Sequence, residues 1–394
     1  MPLSNAIKET ISSSSLIRKV FEEGTMLKKQ YGADKVFDFS LGNPDLAPPP
    51  EFKKALLKLV NEDTSGVHGY MNNAGFPQVR EVLAQKTSKE HAVNINGSHI
   101  VMSCGAAGGL NVVFRCIFNP GDEIIIPKPY FGDYNAYISN YGGLIVGVDS
   151  LPDFNLDVQA IGSKLSPKTA AVMINSPHNP TGRIYSAETI KKLAQVMLEH
   201  GKKCGRMPYL ISDEPYRDIA YDGAEVSPVL CHYPESIVVN SYSKSLSLPG
   251  ERIGYIAMGP EIEDKGNLLG AFTFATRILG FVNAPALMQR IVAELVDARV
   301  DVGIYAARRA AFMKIMDETG IAYSKPEGAF YLFCKAPGGN DIAFSDHLKK
   351  YLVLGVPGTG FKAPGWIRFA YCVDEKIIKA SGPAFKKAID EWSK

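Results

Sequence analysis

The chain has 394 residues, enough at roughly 100–200 residues per domain for two or three domains, or for one large domain with an appendage. Its 43 Lys and Arg against 41 Asp and Glu leave a formal net charge of +2, so nucleic acid and anionic membrane are not leading partners and a small molecule is. Hydrophobic residues at 46% and charged residues at 21% exclude the disordered and collagen-like classes.

In chain order, residues 1–23 hold no apolar leader core, only a serine run at 12–15 before an amphipathic stretch, and no later run has the length and apolarity of a membrane span. The six cysteines (Cys104, Cys116, Cys204, Cys231, Cys334 and Cys372) form no Cys-x-x-Cys pair, so neither a zinc site nor a disulfide framework is expected. These features point to the cytoplasm. Seven short apolar runs bounded by turn residues then predict buried strands at 99–103, 123–126, 144–148, 170–175, 209–212, 237–240 and 253–258. Helical patterns lie between several of them, the clearest placing Ile190, Leu193, Ala194, Met197 and Leu198 on one face. Strands alternating with helices predict an α/β fold, a mostly parallel sheet between helices. Residues 284–316 have the composition of one long bridging helix, with Gly303 and Gly320 as the breakers nearby. Strands at 329–334 and 366–371, a short helix near 341–351 and a final helix from about 374 predict a smaller α+β unit. The expected division is an N-terminal segment 1–45 joining the small domain, a large domain 46–283, and a bridging helix with the small domain at 284–394.

Gly105, Ala106, Ala107, Gly108 and Gly109 follow the first predicted strand and open a helix. Such small residues let backbone N–H groups approach an anion at a helix N-terminus, and they equally serve plain close packing. The run matches neither the dinucleotide fingerprint nor the nucleotide-triphosphate loop, which counts against a nicotinamide oxidoreductase. Ser241, Tyr242, Ser243 and Lys244 follow the run at 237–240, with Arg252 beyond. Ligands of open α/β sheets bind outside the carboxyl ends of the strands, where Lys244 stands. A desolvated lysine near other cations is a usable nucleophile able to form an imine; alone, it reads first as a solvated loop lysine. The run at 209–212 leads into Asp213, Glu214, Pro215 and Tyr216, and that at 170–175 leads into a turn presenting Asn179. Singly, these are satisfied as a cap and an Asx-turn. Together, three successive strand ends offer an amide, a carboxylate and an amine to one crevice.

Ser241 to Lys244, Leu248 to Tyr255, Asn179 to Gly182 and Asp213 to Tyr216 together resemble the class I/II aminotransferases, aspartate-aminotransferase-like fold-type I enzymes that depend on pyridoxal phosphate. The likeness runs from Ser40, Leu41, Gly42, Asn43 and Pro44 to Ile367, Arg368, Phe369 and Ala370. It implies a catalytic set of Lys244, Asp213 and Tyr216. Lys244 carries the cofactor as an imine and then shuttles the substrate proton. Asp213 pairs with the pyridine nitrogen and keeps it protonated. Asn179 and Tyr216 donate to the ring 3-oxygen, and Phe131 stacks on the ring, with Tyr130 as the alternative register. Gly105, Ala106, Ala107, Ser241, Ser243 and Arg252 form the phosphate cup. Arg368 grips the substrate α-carboxylate, helped by Gly42 and Asn179. Tyr70 is similar to the residue by which one subunit reaches its neighbour's cofactor phosphate, which implies a homodimer. His178, inside the Asn179 turn, reads as structural. No metal is implied.

The implied activity is ping-pong transfer of an α-amino group from an aspartate-like or other amino acid to a 2-oxo acid such as 2-oxoglutarate, in amino acid biosynthesis. A carbon–sulfur β-lyase of the same fold shares this machinery. A sensor built on the same fold needs a further DNA-binding module, for which too few residues precede Ser40. Ala107 stands where one aspartate-specific subgroup has a lysine. Arg277, shortly before Asn283, Ala284 and Pro285, is the candidate for reading a distal carboxylate, and Arg18 is a weaker one.

Overall fold

The computed structural model describes residues 3–4, 7, 16–62 and 64–392. Helix α1 (Leu16–Tyr31), strand β1 (Phe37–Asp38) and helices α2 (Pro50–Asn61) and α3 (Pro77–His91) lead into a central sheet. Its strands are β2 (Ile100–Ser103), β3 (Glu123–Lys128), β4 (Leu144–Asp149), β5 (Thr169–Asn175), β6 (Tyr209–Asp213), β7 (Ser236–Ser241) and β8 (Gly254–Met258). They lie in the order β2-β8-β7-β6-β5-β3-β4, and each of the seven predicted runs supplies one of them. Strand β8 is antiparallel to both neighbours, and the remaining pairs are parallel.

Strands β5, β7 and β8 are buried along their whole length, because helices cover both faces of the sheet. Ile124 and Ile126 enter one layer with Phe114, Met173 and Phe272, while Ile125 enters the other with Val172, Leu193 and Met197. The covering helices include α4 (Gly105–Ile117), α5 (Tyr134–Ser139), α6 (Val158–Lys164), α7 (Ala187–Cys204), α8 (Tyr242–Ser245) and α9 (Lys265–Ile278). Helix α7 shows why the periodicity was readable. The Ser186 hydroxyl caps it by accepting from the Thr189 N–H at 3.2 Å, Gly205 ends it at φ 70°, and Ile190, Leu193, Ala194 and Met197 are buried between.

The single helix expected over 284–316 is two helices, α10 (Ala286–Glu294) and α11 (Val302–Thr319). The break has a local cause. The Asp301 carboxylate accepts from the Gly303 N–H at 2.8 Å and starts a new helix, and the Val300 N–H is drawn away to the Ser245 carbonyl at 2.8 Å. Met288, Ile291 and Val292 of α10 pack with Met102 and Tyr255 of the central sheet. Tyr305, Phe312 and Ile315 of α11 pack instead with Phe39, Phe369 and Phe385.

The rest of that second core comprises β9 (Tyr323–Ser324), β10 (Tyr331–Lys335), α12 (Asp341–Lys349), β11 (Val353–Leu354), β12 (Val356–Pro357), β13 (Trp366–Ala370) and α13 (Glu375–Trp392). Its sheet is antiparallel in the order β12-β13-β10-β9. The chain's early segment joins it, since β1 pairs in parallel with β11 and Arg308 clamps Asp45 with bonds of 2.6 and 2.9 Å. Among the described residues no helix is long and apolar enough to cross a membrane.

Candidate active site

Strands β5, β6 and β7 end side by side, with Asn175 opposite Asp213 and Asp213 opposite Val239. Beyond these ends lies a cavity of about 280 Å³ between the two cores. The central sheet and its helices bring Ala106, Ala107, Phe131, Asn179, Asp213, Tyr216, Ser241, Ser243, Lys244 and Arg252 to its wall. Gly42 and Arg368 close it from the side of the second core.

Lys244 sits on α8, one turn past the end of β7, and donates from Nζ to the Gly42 carbonyl at 2.7 Å. Burial lowers its pKa to about 8; Arg368 and Arg252 add to the fall, and the Cys372 thiol opposes it. An amine in that range has a sizeable neutral fraction near pH 7–8, which a surface lysine lacks.

Asp213 is buried. Its Oδ2 accepts from the Tyr134 hydroxyl at 2.5 Å, and its Oδ1 has no hydrogen-bond partner among the described residues. Burial pushes its pKa up to about 7, the Tyr134 hydrogen bond holds it lower than burial alone would, and Glu214 pushes it higher. A buried carboxylate oxygen without a donor is met best by a cationic N–H. Asn175 fixes this corner, since its Nδ2 donates to the Asp213 carbonyl and its Oδ1 accepts from the Asn179 N–H, both at 2.7 Å.

Arg368, in the middle of β13, donates from Nη1 to Asn179 Oδ1 at 3.1 Å and from Nη2 to the Ser40 carbonyl at 2.6 Å. Its guanidinium lies over the rings of Tyr331 and Phe361, 4.4 and 4.7 Å from their centroids, and its Nε is buried without a partner among the described residues. This is a fixed planar cation suited to a carboxylate. The Tyr331 hydroxyl also meets the Tyr216 hydroxyl at 2.7 Å.

An anion cradle stands at the opposite wall. Gly105 opens α4 at φ 72°, a conformation that favours glycine, and a Cβ there would lie 2.6 Å from Arg252 Nη2 and displace the guanidinium. Gly109, one turn on, allows α4 to approach the sheet, since a Cβ would lie 2.8 Å from Val239 Cγ1. The N-terminus of α4 thereby reaches the carboxyl end of β7, with the Arg252 guanidinium tethered to the Pro249 carbonyl at 2.8 Å.

Phe131, not Tyr130, lines the main cavity; Tyr130 packs in the core and donates to Asn135 at 3.1 Å. His178 is buried beside Thr181, with Nδ1 2.8 Å from its hydroxyl, and burial lowers its pKa to about 3, so it is neutral and braces the turn. Gly105 lies just outside the wall, against Arg252. Two expected residues are not at this chain's own cavity. Tyr70 is 91% exposed, and Arg277, itself exposed, sits in the last turn of α9 with its guanidinium 5.2 Å from the Phe274 ring centroid. The side chain of Arg18 lies outside the described residues. Sequence reasoning missed Tyr134, Asn175 and Tyr331, although Tyr134 lies one helical turn beyond Phe131, a spacing that could have flagged it.

The family model described as aminotransferase class I and II matches residues 34–380. The chain belongs to this family. It is 33% identical over 377 residues to a probable aspartate/prephenate aminotransferase of Aquifex aeolicus, covering 90% of this chain and 91% of that one. Among solved structures, an amino transferase of Eubacterium rectale is 38% identical with a TM-score of 0.96, covering 100% of both chains. The aspartate aminotransferase of Thermus thermophilus with maleate is 26% identical with a TM-score of 0.87, covering 98% of this chain and 100% of that one. The protein is therefore a fold-type I transaminase dependent on pyridoxal phosphate, and the β-lyase alternative is not favoured. The cavity fits that cofactor: an unpartnered buried carboxylate oxygen for a pyridine N–H, a lysine amine for its aldehyde, and a cation beside a helix N-terminus for its phosphate.

Proposed function

We propose that this aminotransferase moves the α-amino group of an aspartate-like amino acid to a 2-oxo acid such as 2-oxoglutarate, in two half-reactions at one site. Bound pyridoxal phosphate supplies the electron sink that stabilises negative charge at the substrate Cα. Lys244 would hold the cofactor through its amine, and as a free amine it would take the substrate Cα proton. Asp213 would keep the ring nitrogen protonated, and Asn179 and Tyr216 would donate to the ring oxygen. Phe131 stacks on the ring. The backbone at Gly105, Ala106 and Ala107, with Ser241, Ser243 and Arg252, holds the phosphate. Arg368, Asn179 and the backbone at Gly42 hold the α-carboxylate. The observation that carries this reading is the unpartnered, buried Asp213 Oδ1 in the same cavity as Lys244 and Arg368.

The aspartate preference is supported by the names of the relatives, and by the Thermus thermophilus aspartate aminotransferase, whose structure was solved with maleate, a dicarboxylate. The homodimer is supported by two segments that lie together. Asn73 donates to the Val282 carbonyl at 2.6 Å, and Gln289 lies 3.1 Å from the Met71 sulfur. These contacts hold the exposed Tyr70 segment near the Arg277 segment, so both project from one region, where a second copy would receive them. In that arrangement Arg277 reads the distal carboxylate of the neighbour's substrate. The six free thiols agree with a cytoplasmic setting.

The test is the absorbance of the purified enzyme during separate additions of single amino acids, without any 2-oxo acid. One equivalent of 2-oxo acid per site, released in step with the change in cofactor absorbance and fastest for aspartate, is the expected result. Continuous release of pyruvate and ammonia with an unchanged spectrum refutes the transfer reading. Arg277→Ala that leaves the preference for aspartate over alanine intact removes Arg277 as its reader.

A further inference from the structure

Two phenols meet beside the arginine assigned to the α-carboxylate. Tyr331, on β10, lays its ring 4.4 Å from the Arg368 guanidinium carbon and brings its hydroxyl to 2.7 Å from that of Tyr216. Both side chains are buried. A Cβ at Gly42 would lie 2.0 Å from the Tyr331 hydroxyl, which therefore occupies space that only glycine leaves. The carbonyl of the same Gly42 accepts from Lys244. The pair thus connects the arginine, the lysine's anchor and the side chain assigned to the cofactor's ring oxygen.

Two phenols carry two protons, and the contact between them uses one. If Tyr216 donated to Tyr331, it would have no proton left for the ring oxygen. We infer that Tyr331 is a positioning residue: it donates to Tyr216, which turns the Tyr216 proton toward the cofactor, and it couples that hydrogen bond to the charge on Arg368. The inference rests on the roles of Tyr216 and Arg368 proposed above.

The Arg368 cation against the ring polarises the Tyr331 phenol and strengthens its donation to Tyr216. A substrate carboxylate that neutralises Arg368 weakens this donation and, through Tyr216, the bond to the ring oxygen. A ring oxygen with less donation holds the neighbouring proton of the lysine–cofactor linkage more tightly. Carboxylate binding at one end of the site thereby raises proton affinity at the other. Asn179, which accepts from Arg368 at 3.1 Å, is a parallel route, so Tyr331 carries part of the effect.

The other ionisable groups acting on the pair are Tyr134 from α5, Asp213 from β6 and Cys372 after β13, and Lys244 from α8 lines the same cavity. Burial holds the Cys372 thiol up at about 12 and Tyr331 at about 12, so both are neutral at working pH.

The experiment is a spectrophotometric pH titration of the bound cofactor in wild type, Tyr331→Phe, Tyr216→Phe and the double variant, each with and without saturating maleate. Tyr331→Phe keeps the ring against Arg368 and removes only the hydroxyl. It is expected to raise the pKa of the lysine–cofactor linkage without maleate by about 0.5 unit, roughly a threefold change in proton affinity, and to shrink the rise that maleate induces. In the Tyr216→Phe background it is expected to add nothing. An unchanged pKa in Tyr331→Phe, or an undiminished effect without the Tyr216 hydroxyl, overturns the coupling. If Tyr331→Phe does not fold, Tyr216→Phe decides, because a full-sized maleate response there overturns it equally. A wild-type enzyme without pH-sensitive cofactor absorbance overturns the proposed site roles instead.

Discussion

Asp213→Asn isolates the consequence of burying one carboxyl. In the cofactor-free enzyme the Asp213 pKa is raised to about 7 by burial, against an ordinary 3.8. Between those two values the folded state keeps a proton that the unfolded chain has lost, so stability contributed by this group is present below about pH 4 and falls as pH rises to about 7. A difference of about 3 units, at 1.36 kcal/mol each, sets an upper bound of about 4 kcal/mol. For a chain of this length that is a change of about 5 °C in the thermal midpoint. The assay is thermal unfolding of cofactor-free wild type and Asp213→Asn from pH 4 to pH 8. The variant is expected to gain up to about 5 °C on wild type across that window, because asparagine carries no proton to lose. Added pyridoxal phosphate should flatten the difference for wild type by placing a cation at Oδ1. Midpoints that run parallel across the window would refute a protonated Asp213 near neutrality.

Lys244→Ala should lose the absorbance of lysine-linked cofactor and at least about 10²–10⁴-fold in turnover, the usual range for a positioned proton-transfer group; near wild-type single-turnover rates would exclude it. Arg368→Lys keeps the charge but loses the planar fork, so kcat/KM for the amino acid should fall about 100-fold while the enzyme still binds its cofactor. An unchanged kcat/KM removes Arg368 from the carboxylate. Asn175→Ala leaves the Asp213 carbonyl and the Asn179 N–H without partners and should destabilise by about 1–3 kcal/mol for each group left unpaired. Urea unfolding that matches wild type would show that neither bond matters.

The central sheet was legible because its strands are buried on both faces and therefore read as continuous apolar runs closed by turn residues. Lys244, Asp213 and Asn179 were legible for the same reason, as polar residues placed where such a run stops. Strand direction was not: β8 is as apolar as the parallel strands of the same sheet, and its reversal is decided by the connection from β7. Asn175 hides as the last residue of an apolar strand. Tyr134 and Tyr331 sit among aromatic core residues, and the partners that give them meaning, Asp213 and Tyr216, are far away in the chain. The break before α11 was invisible to composition, because one aspartate in the capping position outweighs the helix preference around it.

That break also ties the outer core to the sheet beside Lys244. The Val300 N–H is bonded to the Ser245 carbonyl, and Ser247 donates to the Leu46 carbonyl at 2.5 Å, so both passages between the cores are moored within three residues of Lys244. A lever moves least at its fulcrum. Were the outer core to rock about these moorings, Arg368 would travel with it while Lys244 stayed with the central sheet, so the hold on a substrate's carboxylate would change relative to the amine.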